Sequence, residues 1–95
     1  MSEKLVKTAL KKYLEEIGAY YFMPVQMGYG AASIDFFVCH KGRFYGIETK
    51  QPGAKATPRQ RVVLEEIRKS GGVSWVEDST ALTTTRAGMG YNWRN

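Results

Sequence analysis

The sequence predicts a single α/β domain in which a mixed four-stranded sheet is flanked by helices, in the order α-β-β-β-α-β. Two stretches carry apolar residues at helical spacing, and four shorter runs are rich in aromatic and β-branched residues. A chain of 95 residues can bury one modest core and is too short for two. We therefore interpret residues 1–95 as one domain, with a core of residues 2–78 and a tail of residues 79–95.

The two predicted helices have clear start signals. The first follows Ser2, a suitable N-cap, and stops at Gly18. The second starts at Thr57 and Pro58, where Gln60 is placed to complete a capping box. Their apolar faces consist of Val6, Leu10, Tyr13, Leu14 and Ile17 in the first helix, and Val63, Leu64 and Ile67 in the second.

The predicted strands lie before, between and after these signals. Residues 20–26 form the first strand, and Pro24 within it predicts an edge position or a bulge, because proline has no amide to donate. A Gly/Ala loop leads to a β-hairpin of residues 34–39 and 44–49 around Lys41 and Gly42. Gly71 and Gly72 end the second helix before a strand at residues 73–76, and the tail carries only weak signals, one short helix and then a loose end. Most of the aromatic residues in these runs are expected in the core, namely Tyr20, Tyr21, Phe22, Phe36, Phe37, Phe44 and Trp75.

Composition limits the class of protein. Lys and Arg number 14 against 9 Asp and Glu, and the net charge of +5 favours an anionic partner such as nucleic acid without identifying one. Cys39 is the single cysteine, which excludes an intrachain disulfide and a cysteine-cluster zinc site, and we interpret it as a buried structural thiol. No apolar stretch approaches ~20 residues and the first segment is a charged helix, so we expect a soluble, cytoplasmic protein with no membrane partner.

The hairpin places chemically active side chains together. Glu48 and Lys50 project from the same face, because alternate residues of a strand point the same way. With a two- or four-residue turn centred on Lys41 and Gly42, facing residue numbers sum to 83, which sets Asp35 opposite Glu48. A three-residue turn would instead move Asp35 to the opposite face, unless a bulge restored the match.

Two facing carboxylates favour a bound cation. Their repulsion destabilises a sheet by up to roughly 1 kcal/mol unless a cation lies between them. Asp35, Glu48, the backbone carbonyl of Thr49 and water would form the hard oxygen shell that Mg²⁺ or Mn²⁺ prefers. Zinc would need more nitrogen or sulfur than Cys39 and His40 offer, and His40 is interpreted as an exposed hairpin residue.

Such a site predicts phosphodiester hydrolysis. A metal lowers the pKa of a bound water and counters charge on the phosphate, and Lys50 supplies a cation near the attacking water. Glu3 is the candidate fourth acid, because it continues the buried stripe of the first helix. The alternative for Glu3 is that it only complements the helix dipole.

Taken in order, these residues resemble the virus-type replication-repair nuclease (VRR-NUC) domain, a branch of the PD-(D/E)XK nuclease superfamily. The resemblance covers residues 2–76 and has one departure, since Ile34 stands where the family usually has proline. It depends on Glu3, Asp35, the run Gly46-Ile47-Glu48-Thr49-Lys50, the helix start Thr57-Pro58-Arg59-Gln60, and Gly71-Gly72-Val73.

The resemblance implies a restriction-endonuclease-like core and a role for each matching residue. Asp35 and Glu48 would bind metal, Lys50 would assist the nucleophile, Glu3 would complete the acidic set, and Gln60 would reach into the site. Capping alone also explains Gln60.

The resemblance also implies a substrate and an assembly. Members of this kind act on structured DNA, and compact stand-alone versions are typically viral homodimers that look like Holliday-junction resolvases. The expectation is therefore a Mg²⁺- or Mn²⁺-dependent endodeoxyribonuclease that acts as a homodimer on four-way junctions. The alternatives are a non-catalytic DNA-binding or assembly protein on the same fold, and a nuclease for flap, nicked or sequence-specific DNA.

DNA contacts are expected from basic and aromatic side chains near the site. Lys55 and Arg59 are the first choices for phosphate contacts, and Tyr29 could stack on a base. Lys41, Arg43 and Arg61 are further candidates, although surface basic residues are often only solvated. In the tail, Tyr91 and Trp93 are expected to dock on the core or on a partner subunit.

Overall fold

A computed structural model describes residues 2–25 and 33–89. It shows the predicted order of elements, followed by one more short helix. The elements are α1 (Glu3–Glu16), β1 (Tyr20–Phe22), β2 (Phe36–His40), β3 (Arg43–Thr49), α2 (Pro58–Lys69), β4 (Val73–Glu77) and α3 (Thr83–Met89). The strands form one sheet in the order β1-β2-β3-β4, antiparallel except for the parallel pair β3 and β4. The predicted mixed four-stranded α/β fold is confirmed, and β1 is an edge strand as predicted. The predicted extent of the first strand was too long, since β1 ends at Phe22 and Pro24 lies beyond it.

The hairpin turn has the length on which the predicted register depends. Lys41 and Gly42 form a two-residue turn with φ angles of 52° and 80°. Positive φ at both positions is typical of the turn whose twist matches a β-hairpin. His40 pairs with Arg43 in the register, so facing residue numbers sum to 83 along β2 and β3.

Both helix starts are confirmed. The Ser2 hydroxyl accepts a hydrogen bond from the Leu5 amide at 3.3 Å. Thr57 and Gln60 form the reciprocal capping box, with Pro58 in the first turn. These caps satisfy amides that the first turn of a helix leaves without partners.

The sheet separates two packing layers. On one face, α1 and α3 cover a core that includes Phe36, Tyr45 and Ile47. On the other face, α2 covers a smaller cluster around Ile34 and Leu64. Glu48 belongs to this second face by strand alternation, so the site begins where the α2 layer ends.

The second face is covered by α2 only near β3 and β4, and two expectations were wrong for this reason. Cys39 is exposed and is not a buried thiol. Tyr20, Phe22 and Phe44 are exposed by 72%, 55% and 46%, whereas they were expected in the core. The register aligns these residues on the face opposite α1, and α2 packs mainly against β3 and β4. No helix among the described residues has the length and apolar character needed to cross a membrane.

Candidate active site

Asp35 lies at a break in the hairpin ladder. Ile34 packs in the α2 layer and Phe36 in the α1 layer, so the strand alternation is interrupted at Asp35, where the chain bends. The Asp35 amide donates to Glu48 Oε1 at 3.0 Å. Asp35 Oδ2 accepts from the amide of Thr49 at 3.1 Å and from its hydroxyl at 2.6 Å. Hydrogen bonds of the two acidic side chains therefore continue the link between the strands beyond the last backbone pair.

Glu48 is a buried carboxylate with incomplete charge compensation. The residue is 1% exposed, and its Oε2 lies 3.6 Å from Lys50 Nζ. Burial raises the pKa of Glu48 to about 7, helped by the negative charges of Asp35 and Glu3 and opposed by Lys50 and the Asp35 amide. A carboxylate that is costly to ionise in this position gains from any additional cation.

Lys7 is a site residue that the sequence pattern does not single out. Its Nζ lies 3.5 Å from Asp35 Oδ1, and the two side chains are 33% and 14% exposed. Lys7 follows Glu3 by one helical turn, so both project from the same side of α1. That spacing was the one available signal, and it becomes informative only when the start of α1 is known to lie beside Asp35.

The structure places the other predicted residues unequally. Glu3 lies in the first turn of α1, close enough for its charge to raise the pKa of Glu48. Gln60 uses its carboxamide oxygen to accept from the Thr57 amide at 2.9 Å, so that oxygen serves the cap. Thr49 contributes its amide and hydroxyl to Asp35, which the sequence did not predict, and its carbonyl remains a predicted ligand.

The donor set fits a hard divalent cation held by two carboxylates. Within residues 2–25 and 33–89, no three Asp, Glu, His or Cys side chains form a group that could hold a metal ion. Mg²⁺ is commonly bound by one or two carboxylates and several waters. Asp35 and Glu48 can provide the two carboxylates. His40 was expected to be exposed, but it is half-buried, because its ring packs toward α1 with Nε2 at 3.2 Å from the carbonyl of Ile17. It lies away from these carboxylates in the sheet.

The predicted phosphate contacts fall into two groups. Lys41 and Arg43 lie at the hairpin turn, and Glu48 is five residue steps along the extended strand from Arg43, roughly 17 Å away. Lys55 and Arg59 are exposed beyond the other end of β3, where Lys50 lies. Arg61 donates to the Ala56 carbonyl at 3.4 Å. Tyr29, Tyr91 and Trp93 lie outside the described residues.

The carboxyl ends of β3 and β4 meet at this edge of the sheet. The Lys50 amide donates to the Glu77 carbonyl at 3.0 Å, which extends the parallel pairing to the lysine. In the following loop, residues 51–56, the Gly53 amide donates to Asp78 Oδ2 at 3.0 Å. The backbone at Lys50 and in the loop that follows it is thus fixed by hydrogen bonds to Glu77 and Asp78.

These features define an α/β domain with an acidic pair and a lysine at one end of a mixed sheet. The same fold occurs in a solved structure described as a VRR_NUC domain, with a TM-score of 0.74 and 22% sequence identity, covering 94% of this chain and 97% of that chain. The likeness confirms the VRR-NUC-type fold that the sequence predicted. No protein-family profile and no curated protein matches the chain.

Proposed function

We propose that this chain is a Mg²⁺- or Mn²⁺-dependent endodeoxyribonuclease that hydrolyses phosphodiester bonds in structured DNA. The observation that carries the proposal is the buried Glu48 carboxylate at the end of β3. It accepts a hydrogen bond from the Asp35 amide and forms an ion pair with Lys50. The shared fold of the VRR_NUC domain structure supports it. Together they favour hydrolysis over binding alone, because a buried carboxylate whose charge is only partly compensated serves no evident packing purpose.

Asp35 and Glu48 would hold the ion, and the Thr49 carbonyl is the further ligand proposed. Glu3 forms no three-residue metal-binding group with them in the described structure, so we propose that it completes the acidic set only once an ion is bound. When bound, the ion would lower the pKa of a nearby water and offset charge that develops on the phosphate. Two hydrogen bonds from Thr49 restrain the Asp35 carboxylate before any ion arrives. Such supporting hydrogen bonds orient metal ligands and reduce the cost of assembling a site.

Lys50 would act on the attacking water and on the phosphate. Its side chain is 14% exposed and lies against Glu48, so the ammonium can reach a substrate bound at the end of the sheet. As a cation it would orient the water through its lone pair and stabilise negative charge in the transition state. Gln60 is proposed as an accessory through its amide nitrogen, since its oxygen serves the helix cap.

Charge supports DNA as the substrate. The chain carries a net charge of +5, and Lys55 and Arg59 are exposed at the same end of the sheet as Lys50. Phosphate contacts of this kind position a duplex without reading its sequence. We further propose that the chain acts as a homodimer and that a four-way junction is its preferred substrate, because a two-fold dimer of a one-site domain can cut two strands.

The experiment compares Glu48→Ala with wild type on a labelled four-way junction, in Mn²⁺, Mg²⁺ or EDTA. Flap, nicked and linear duplexes of matched sequence are included, and Glu16→Ala, at an exposed end of α1, is the control variant. Metal-dependent cleavage is expected for wild type and Glu16→Ala, with a loss of about 100-fold or more in Glu48→Ala. Binding without cleavage by wild type would overturn the nuclease proposal in favour of a DNA-binding or assembly protein. Faster cleavage of flap or nicked DNA would correct the substrate.

A further inference from the structure

Each carboxylate of the acidic pair Asp35 and Glu48 lies next to a different lysine. Lys50 lies 3.6 Å from Glu48, and Lys7 lies 3.5 Å from Asp35. The two ammonium groups come from different elements, since Lys50 follows β3 and Lys7 belongs to α1. Two positive charges thus accompany the two carboxylates.

We propose that Lys7 competes with the divalent ion for Asp35 and, once displaced, binds a phosphate of the DNA. The inference rests on the proposed function and adds a residue to it. A divalent ion at Asp35 and Glu48 would bring two further positive charges beside two ammonium groups. The repulsion between the ion and the ammonium groups falls when one of them moves away.

Exposure decides which lysine moves. The Lys50 side chain is 14% exposed and is anchored at a residue whose amide pairs with β4. The Lys7 side chain is 33% exposed and projects from the surface of a helix, so it can turn away without disturbing the backbone. In the exchange the ion replaces Lys7 at Asp35 Oδ1, and Thr49 continues to hold Oδ2.

The position of Lys7 on α1 indicates what it binds after release. Lys4 and Lys11 are exposed on the same side of the helix, three residues before and four residues after Lys7. Lys7 turned away from Asp35 would therefore join a basic stripe that starts at the proposed site. A row of ammonium groups on a helix surface favours the phosphate backbone of a nucleic acid.

The first test is the affinity for Mn²⁺ alone, measured by titration calorimetry without DNA. Lys7→Met removes the competing cation and keeps the length of the side chain, and Lys11→Met is the matched control from the same helix. We expect Mn²⁺ to bind about five- to tenfold more tightly to Lys7→Met than to wild type, with Lys11→Met unchanged. Equal or weaker binding by Lys7→Met overturns the inference, provided that circular dichroism shows both variants folded.

The second test is junction binding in EDTA and in Ca²⁺, with the absence of cleavage checked on a gel. We expect Lys7→Met to match wild type in EDTA, where Lys7 is held by Asp35, and to bind about three- to tenfold more weakly in Ca²⁺. An equal loss in both conditions would make Lys7 an ordinary phosphate contact and would overturn the displacement.

The outcomes separate this inference from the proposed function. If wild type binds no Mn²⁺ and cuts no DNA, the nuclease proposal fails and the inference falls with it. If wild type binds Mn²⁺ and cuts DNA while Lys7→Met shows unchanged Mn²⁺ affinity, the inference alone fails.

Discussion

The burial of Glu48 lowers the stability of the folded, metal-free protein when its carboxylate is ionised, and it favours the binding of a cation there. Its carboxylate is almost completely buried, and the nearby charges of Asp35 and Glu3 add to the cost of ionising it. Lys50 compensates only part of that cost, because the pKa of Glu48 still rises to about 7. The metal-free protein therefore has a stability that depends on whether Glu48 carries a proton.

We expect Glu48→Gln to change how the stability of the metal-free protein depends on pH. The folded pKa of about 7 is above the ordinary value of 4.5, so the stabilising contribution is complete below pH 4.5 and is lost as pH rises through 7. Between pH 5 and 8, wild type should lose about 2 to 3 kcal/mol relative to the variant. Urea unfolding in EDTA at both pH values measures this difference.

The same comparison has two controls. Adding Mn²⁺ at pH 8 should restore stability to wild type and should have little effect on Glu48→Gln, because the amide cannot supply the charge that the ion needs. A difference between the two proteins that is the same at pH 5 and pH 8 would contradict the assigned cause of the pKa rise.

At the residue scale, the sequence correctly predicted which side chains share a face of a strand, because that follows from strand alternation. Glu48 and Lys50 are neighbours because residues two apart share a face. Lys7 could not be predicted, because its contact with Asp35 joins a helix to a distant bend. Nor could the role of Thr49, since that role depends on the break in the ladder at Asp35.

At the scale of elements, local signals predicted the hairpin and the starts of α1 and α2. The sequence signal for the last helix, α3, was weaker, because α3 opens with three threonines, which have low helix propensity. Tertiary contacts support this helix instead. Buried Glu77 accepts from the amides of Ser79 and Thr85, and the Trp75 indole donates to the Thr85 hydroxyl at 3.1 Å.

The close packing of α2 on β3 predicts the effect of Gly46→Ala. A Cβ at Gly46 would overlap Ile67 Cδ1 and would lie 2.8 Å from Ile34 Cδ1. We expect a loss of about 1 to 3 kcal/mol in the free energy of unfolding, because an overpacked core must shift its side chains. Chemical denaturation measures the loss.

A second variant tests the cause of that loss. Ile67→Val removes the overlapping Cδ1, so the double variant Gly46→Ala, Ile67→Val should be less destabilised than the sum of the two single variants. Strict additivity would show that contact with Ile67 is not the origin of the effect.

At the scale of the whole molecule, composition could not show which side chains remain uncovered. The exposure of Tyr20, Phe22, Phe44 and Cys39 follows from where α2 crosses the sheet, and no local pattern encodes that position. Contiguous exposed apolar side chains are typical of surfaces that meet a partner. In the proposed homodimer, a second copy of this chain would be that partner.

The homodimer is tested by light scattering of wild type and Phe22→Glu over a range of concentrations. Phe22 is 55% exposed on the edge strand, so a charge there should weaken association about tenfold or more while leaving the fold intact. Val62→Glu, at an exposed position on α2, is the control for added charge. A wild-type chain that stays monomeric at every concentration would contradict the proposed homodimer.

The paired strands β3 and β4 form the stable part of the sheet, whereas the loop that follows β3 can change in length or sequence without disturbing that pairing. The loop of residues 51–56 leaves the sheet beside Lys50. Its Gly53 amide donates to Asp78 Oδ2, and its last residue, Ala56, is buried with Ile34 and Leu64 in the α2 layer, so residues 51–55 are the part that can vary. Lengthening that loop would alter the rim of the site while the strands below it stayed paired. Substrate preference could therefore be redesigned by grafting new segments there, much as antigen specificity is changed by exchanging loops on a constant framework.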